Sequence, residues 1–305
     1  MQLSVVIITY NEEANIGRTL QSVQPLVADG KGEIIVVDSG STDRTVEIAK
    51  SHGAKVFVEE WKGYAAQKNS AIDKAEWEWI LSLDADECLD VGAAETIQIL
   101  TSKPDGLTGT ELQNLARSRG GDSLDTVETV MAYEEAFDVD SSKKGEDIPL
   151  ALSGYWFPRK NHFLGRWIKH GGFWPDRKLR LFRRGYGRFD DRAVHETVRL
   201  DGHTAKVQRG SIIHHSYPTL FDYIDHMNRY SSLGAEMVVA KGKLRFSFIN
   251  IVLRPVFTFI YNYFFRLGFL DGREGLLLHL YHAVYVSWKY AKAWELSRTK
   301  TTLSS

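Results

Sequence analysis

The chain has 305 residues, 43% hydrophobic and 12% aromatic, with 38 basic against 39 acidic side chains and a single cysteine. That composition excludes a disordered chain and a disulfide scaffold, and the length allows one large domain or a domain with an appendage. Charge is divided along the sequence: residues 1–150 carry 13 basic and 28 acidic side chains, 151–210 carry 14 and 5, and 241–300 carry 10 and 3, so the basic half points to phosphate-bearing ligands or an anionic membrane surface.

In chain order, four short β-branched apolar runs read as buried strands: 3–9 (LSVVIIT), 33–38 (EIIVVD), 54–58 (AKVFV) and 77–84 (WEWILSLD). Helical stretches lie between them, EEANIGRTLQSV, TDRTVEIAKSHG and YAAQKNSAIDKA, the second ending on a glycine in the manner of a helix C-cap. Alternation of this kind predicts a parallel sheet covered by helices on both faces, with ligands at the carboxyl ends of its strands. No G-x-G-x-x-G turn follows the first strand, so a dinucleotide site of the dehydrogenase type is not expected there.

Residues 104–148 are acidic and rich in Gly and Ser, and read as an insertion or mobile lid. From 149 to 217 aromatic, β-like character returns and is expected to complete the sheet. The tail from 218 to 305 reads as helical. Its most apolar run, 246–265, is interrupted by Arg254, Pro255 and two asparagines, which favours helices lying in the bilayer interface over a spanning helix. No Cys/His spacing of a zinc site surrounds Cys88, and the N-terminus lacks the pattern of a signal peptide; the expectation is a cytoplasmic protein, peripheral on the inner face of the cytoplasmic membrane.

The strand ends carry TYNEE, DSGSTD and DADE. In an extended chain Asp84 and Asp86 would point to the same side, about 6.6 Å apart at Cα. Two hard oxygen donors there suit Mg2+ or Mn2+ holding a diphosphate. Asp38 ends a buried strand, where a base or ribose could donate to it, and Thr9, Tyr10, Asn11 and Glu12 follow the first strand in the same way. Ser41, Thr42 and Asp43 are also the residue types that cap a following helix. Arg177, Arg180, Arg183 and Arg184 bring forked donors suited to phosphate, Arg180 best placed for a diphosphate. Trp156, Trp167 and Trp174 are candidates for stacking on sugar faces.

SVVIITYNEEANI, IIVVDSGSTDRTVEIA and WILSLDADE, in this order and spacing, resemble the nucleotide-sugar half of family 2 inverting glycosyltransferases. The resemblance implies a GT-A type, Rossmann-like sheet over 1–217, divided into a nucleotide-sugar half (1–103), the 104–148 insertion and an acceptor half (149–217). It implies that Tyr10 and Asp38 contact the nucleobase, Asp84 the ribose side and Asp86 the metal, with Lys68 approaching the nucleotide from the helix before the fourth strand. Downstream, GYWFPRKNHFLGRWIKHGGFWPDRKLRLFRR, RAVHE and FFRLGFLDGREGLLL resemble bacterial lipopolysaccharide core glucosyltransferases. An inverting transfer needs a base for the acceptor hydroxyl. The candidates are Glu196 and Asp191, Glu196 preferred because the resemblance centres on VHE, with His195 to orient it and His214 or His215 as a further metal ligand. The implied partners are a nucleotide-sugar donor, UDP-hexose favoured, a lipid-linked or lipopolysaccharide-type acceptor, and an anionic inner-membrane surface.

Two other readings stand beside this one. A phosphatase using DADEC as its D-x-D motif would place the pair after the first strand, with Thr or Val where Cys88 stands. A non-catalytic nucleotide-sugar-binding or membrane-tethering module would keep Asp38 and the basic tail yet tolerate Glu196→Gln.

Overall fold

The computed structural model describes residues 3–102, 152–190, 197–242 and 246–302. They form two compact units, one of 3–102, 152–159, 177–190 and 197–214, the other of 160–176 and 215–302. The expected insertion at 104–148 lies outside the described residues. Residues 160–176 group with the C-terminal helices, although 160–163 continue strand β6 of the sheet.

The first unit is built on β1 (Leu3–Thr9), flanked in parallel by β2 (Gly32–Asp38) and β4 (Trp79–Asp84), with β3 (Lys55–Val58) parallel to β2. Period-two alternation decides the faces. Leu3, Val5 and Ile7 pack with Ile16, Leu20 and Val23 of α1 (Ile16–Val27), whereas Val6 packs with Ala65, Ala71 and Ile72 of α3 (Tyr64–Asp73). Each such Leu, Ile or Val side chain contributes roughly 1.5–3 kcal/mol by leaving water. Helices therefore cover both faces, as the sequence pattern predicts.

Helix α2 (Thr45–Ser51) ends as expected on a glycine: Gly53 has φ 77°. Its N–H donates to Lys50 O at 3.0 Å and that of Ala54 to Ala49 O at 3.2 Å, the paired bonds of a Schellman motif.

Beyond β4 the sheet is mixed. Its order is β3-β2-β1-β4-β8-β6-β12-β5, where β5 is Glu87–Leu89, β6 Leu152–Phe163, β8 Asp176–Arg183 and β12 Ile212–Tyr217. β8 runs antiparallel to β4, and β12 antiparallel to β5 with His214 opposite Glu87. Two strands that follow the long gap in sequence thus deliver side chains to the end of β4. A small antiparallel pair, β9 (Gly187–Phe189) and β10 (Val198–Leu200), is tied to α3 by Asn69, whose amide donates to and accepts from the Phe189 backbone at 2.9 Å each.

The second unit gathers Phe163, Ile168, Tyr223 and Leu278 into its own core. Its helices are α5 (Leu220–Ala240), α6 (Arg254–Ile260) and α7 (Gly272–Thr302), with π-helical turns Ile249–Leu253 and Tyr261–Phe265 on either side of α6. Thr219 and Asp222 form a reciprocal capping box at the start of α5. Buried Asp271 accepts from the backbone N–H groups of Lys169 and His170 at 3.1 and 2.8 Å and holds His170 Nδ1 at 3.0 Å. Among the described residues no helix is long and apolar enough to cross a membrane.

Candidate active site

The ends of β1 and β2 are laced into one rim. Asn11, at φ 53°, donates its N–H to Ser41 Oγ at 2.8 Å, while its side-chain oxygen accepts from Thr42 N at 2.8 Å. Glu12 N donates to Thr45 Oγ1 at 2.7 Å, Glu13 N donates to the Asp43 carboxylate at 3.1 Å, and the Glu13 carboxylate accepts from Arg44 N at 3.0 Å. Asp43 also accepts from Thr45 N at 3.0 Å, which fixes the turn leading into α2. Fully buried Asp38 accepts from Gly40 N and Ser41 N at 2.9 and 2.8 Å and from Ser41 Oγ, which shapes the loop that follows it. Thr9 is buried, with no hydrogen-bond partner for its hydroxyl among the described residues, and Tyr10 stands 57% exposed beside it.

At the end of β4 the extended chain stops: Asp84 is its last residue and the chain turns at Ala85–Asp86 before β5. The two aspartates therefore do not share the strand geometry expected from the alternation, and each has its own partners. Asp84 Oδ1 pairs with Lys68 Nζ at 2.9 Å and Oδ2 with Arg180 at 2.6 Å. Asp86 Oδ2 lies 3.2 Å from His214 Nε2.

Burial alone would raise the Asp84 pKa, but the adjacent Arg180 and Lys68 hold it well below the ordinary carboxylate range. Burial acts in the same upward sense on Asp86, and His214 outweighs it, so that carboxyl too is lowered. Glu12 is raised, first by burial and then by Asp86, Asp43 and Asp84, against a lowering bond from Asn15. The carboxylates of separate strand ends thus feel one another, which is the convergence read from TYNEE and DADE.

Arg180 corrects one expectation. It is 5% exposed and bridges Asp84 and Glu87, 2.6 Å from each, so its charge is engaged by two carboxylates rather than presented to a diphosphate. The physical reason is its place on antiparallel β8 beside β4, which turns the guanidinium into the acidic end of its neighbour. Arg177 donates to Val207 O and Gln208, Arg183 pairs with Glu78, and Arg184, although exposed, donates to Ala75 O at 3.4 Å. Lys68, 7% exposed, reaches Asp84 from α3 and lies 5.1 Å from the Phe189 ring centre.

The sequence placed Glu87 with Asp84 and Asp86 but gave it no role, and Arg159 was overlooked. Glu87 is fully buried, accepts from Asp84 N at 3.1 Å, and binds both Arg180 and Arg159, the latter at 3.0 Å. Glu87 stands in the quoted DADE, so a signal existed; Arg159 had none, because only strand pairing brings it there. His215 sits in the second unit with its ring 5.3 Å from that of His162. Trp156 packs against the core, and Trp167 meets Trp174 edge to face at 5.1 Å. Asp191, His195 and Glu196 lie outside the described residues.

Among the described residues no group of three or more His, Cys, Asp or Glu forms a metal cage. The pair that could share a divalent cation is Asp86 and His214, whose donor atoms are spaced like adjacent ligands of one small cation, about 3 Å. Asp84, expected as a second metal ligand, instead has both oxygens engaged by cations of the protein. A cation of the Mg2+ type needs only one or two protein ligands when substrate phosphates and water complete its shell, so the donor set fits.

Residues 4–98 match the model of the family described as glycosyl transferase family 2. The lipopolysaccharide core biosynthesis glycosyltransferase LpsC of Rhizobium meliloti is 27% identical over 97% of this chain and 93% of its own length. An uncharacterised glycosyltransferase of Rickettsia typhi is 26% identical over 97% of the chain and 88% of its own. Glucosyl-3-phosphoglycerate synthase from Mycobacterium tuberculosis, solved with Mn2+ and UDP, is 29% identical over 33% of this chain and 38% of that one, at a TM-score of 0.28. The matched stretch contains every rim residue from Thr9 to Asp86, so residues 4–98 carry a domain similar to glycosyl transferase family 2, and both near full-length relatives are described as glycosyltransferases.

Proposed function

We propose that this glycosyltransferase moves a hexose, with inversion, from a nucleotide-sugar donor to a hydroxyl of a lipopolysaccharide core or other lipid-linked envelope glycan at the cytoplasmic face of the membrane. The observation that carries the donor half is the rim itself. Exposed Tyr10, buried Asp38 and the paired Asp84–Lys68 and Asp86–His214 stand at the carboxyl ends of neighbouring strands, where open α/β sheets bind ligands. UDP-hexose is the favoured donor. The near full-length likeness to the LpsC relative supports the acceptor class.

In this reading Tyr10 supplies an aromatic face to the base and Asp38 keeps the 39–43 loop in shape beneath it. Lys68 and Arg180 keep Asp84 ionised as an acceptor for the ribose side. Asp86 and His214 would hold Mg2+ or Mn2+, which when bound neutralises charge on the leaving diphosphate. Glu196, or Asp191, takes the proton of the acceptor hydroxyl as the new glycosidic bond forms and the sugar–phosphate bond breaks, with the electron pair leaving on the nucleoside diphosphate.

The test is a thermal-shift screen of the full chain against UDP-, GDP-, ADP- and dTDP-sugars, with and without Mn2+ or Mg2+, because selective ligands stabilise the folded state. A metal-dependent shift with one nucleotide, abolished by Asp86→Ala, is the expected result. No shift with any donor would overturn the donor half. Glu196→Gln is expected to keep donor binding and lose transfer; a variant that still transfers at the original rate would remove Glu196 from the role of base.

A further inference from the structure

The helical run 246–270 turns two rows of apolar side chains to the surface. Every fourth residue from Ile249 through Leu253, Phe257 and Tyr261 to Phe265 is exposed and apolar or aromatic, and a second row with the same spacing runs from Val252 to Phe264. Pro255 is buried, and polar Asn250, Thr258 and Asn262 are half-buried beside Ile251, Phe259 and Tyr263. In a regular α-helix of 3.6 residues per turn, a four-residue spacing advances about 40° at each step and would spiral off one face. The wider i→i+5 turns at Ile249–Leu253 and Tyr261–Phe265 rotate less per residue and hold the rows in line. The rings of Phe257, Tyr261 and Phe265 accordingly stack in succession, at centroid separations of 6.0 and 6.4 Å.

The run is fastened to α7 from behind. Ser287 Oγ donates to Ile251 O at 2.8 Å and Arg254 to Tyr290 Oη at 2.6 Å. A soluble surface helix turns its apolar stripe to the core and its polar face to water; here Phe265 is 75% exposed, Phe257 67% and Ile249 65%. A contiguous exposed apolar surface of this kind marks an interaction site.

Charge indicates what covers it. Between 246 and 270 there is no acidic residue and there are two arginines, Arg254 and Arg266, both exposed, with exposed Arg273 close behind. Apolar and aromatic side chains bordered by arginine, with no carboxylate to repel phosphate, suit the headgroup–acyl boundary of an anionic bilayer: rings enter the acyl zone while guanidinium groups stay among the headgroups. We infer that the 249–265 face is the membrane-docking surface of this protein, lying in the plane of an anionic bilayer with its two four-spaced rows buried in the interface. This deepens the membrane side of the function proposed above and rests on that reading only for the nature of the acceptor.

The experiment is vesicle flotation of the full chain with phosphatidylcholine vesicles containing or lacking phosphatidylglycerol, at low and high salt, for the wild type and for Phe257→Glu/Phe265→Glu. Wild type is expected to float with the anionic vesicles and to be only partly released by salt, and the double variant to lose on the order of tenfold or more in partitioning. Far-UV circular dichroism and the nucleotide-sugar thermal shift, which these exposed side chains do not touch, are expected to be unchanged in the variant. Wild type that floats with neither vesicle overturns the inference, as does a folded double variant that floats equally well. A discrete wild-type dimer in sedimentation that the double variant abolishes would also overturn it, by making the cover a second copy of the chain. Vesicle binding without any donor-induced shift would leave the docking surface standing and refute the transferase reading, so the two fail separately.

Discussion

His214 Nε2 lies 3.2 Å from Asp86 Oδ2, joining the turn after β4 to a strand more than a hundred residues later. A carboxylate with an imidazole is a donor pair for a divalent cation, and each alone is weak. His214→Ala and Asp86→Asn are both expected to remove the Mn2+-dependent part of nucleotide-sugar binding, and chelation with EDTA to do the same to the wild type. Isothermal titration with and without metal checks this. Metal-independent binding that all three treatments leave intact would break the assignment.

Arg180 is expected to behave as a structural cation. Its side chain is 6% exposed and Glu87 0%, so Arg180→Met leaves buried Glu87 with Arg159 alone and Asp84 with Lys68 alone, and is expected to destabilise the protein by about 1–3 kcal/mol. Urea denaturation measures it. Combining the change with Glu87→Gln is expected to restore part of the loss, because the stranded charge is then gone. A direct phosphate ligand would instead show weaker nucleotide binding at nearly unchanged stability.

His279 is 1% exposed and neither ring nitrogen has a hydrogen-bond partner in the described structure. Burial, and then neighbouring His282, lowers its pKa from 6.5 to about 4. The sign follows: the unfolded chain takes up this proton first, so stability is complete above pH 6.5 and declines as pH falls toward 4. His279→Phe is expected to flatten that part of the pH–stability curve, which for the wild type amounts to about 3 kcal/mol. An unchanged acid slope in the variant would count against it.

Two glycines of positive φ should differ sharply. At Gly53, φ 77° with open space around it, alanine meets only the conformational penalty and should cost about 1 kcal/mol. At Gly171, φ 66°, a Cβ would fall 2.0 Å from the His279 ring, so Gly171→Ala should be several-fold more damaging. Thermal denaturation of the two variants compares them, and equal costs would contradict the close approach.

The parts of the fold legible in the sequence are those set by local rules. β1 begins and ends where the apolar run does, β2 and β4 are displaced by a residue or two, and the glycine stop of α2 is where it was expected. The rim residues Thr9 to Glu12 and Asp38 were legible too, since a polar residue ending a buried strand has only the sheet edge to occupy. Lys68 came from the resemblance, and the structure pairs it with Asp84. Arg180 was misread because a forked cation in a basic stretch looks like a phosphate ligand until its neighbours are known.

Strand, helix and rim were determined by the sequence alone, because β-branched runs, period-two alternation and a C-cap glycine act over a few residues. Tertiary structure decided which charges meet. Arg180 finds Asp84 and Glu87 from 96 and 93 positions away, and His214 finds Asp86, only because β8 and β12 enter the sheet antiparallel to β4 and β5. Whether a cation faces a ligand or a buried carboxylate depends on strand order and register, and those are settled by packing across the whole sheet rather than by any stretch of the chain.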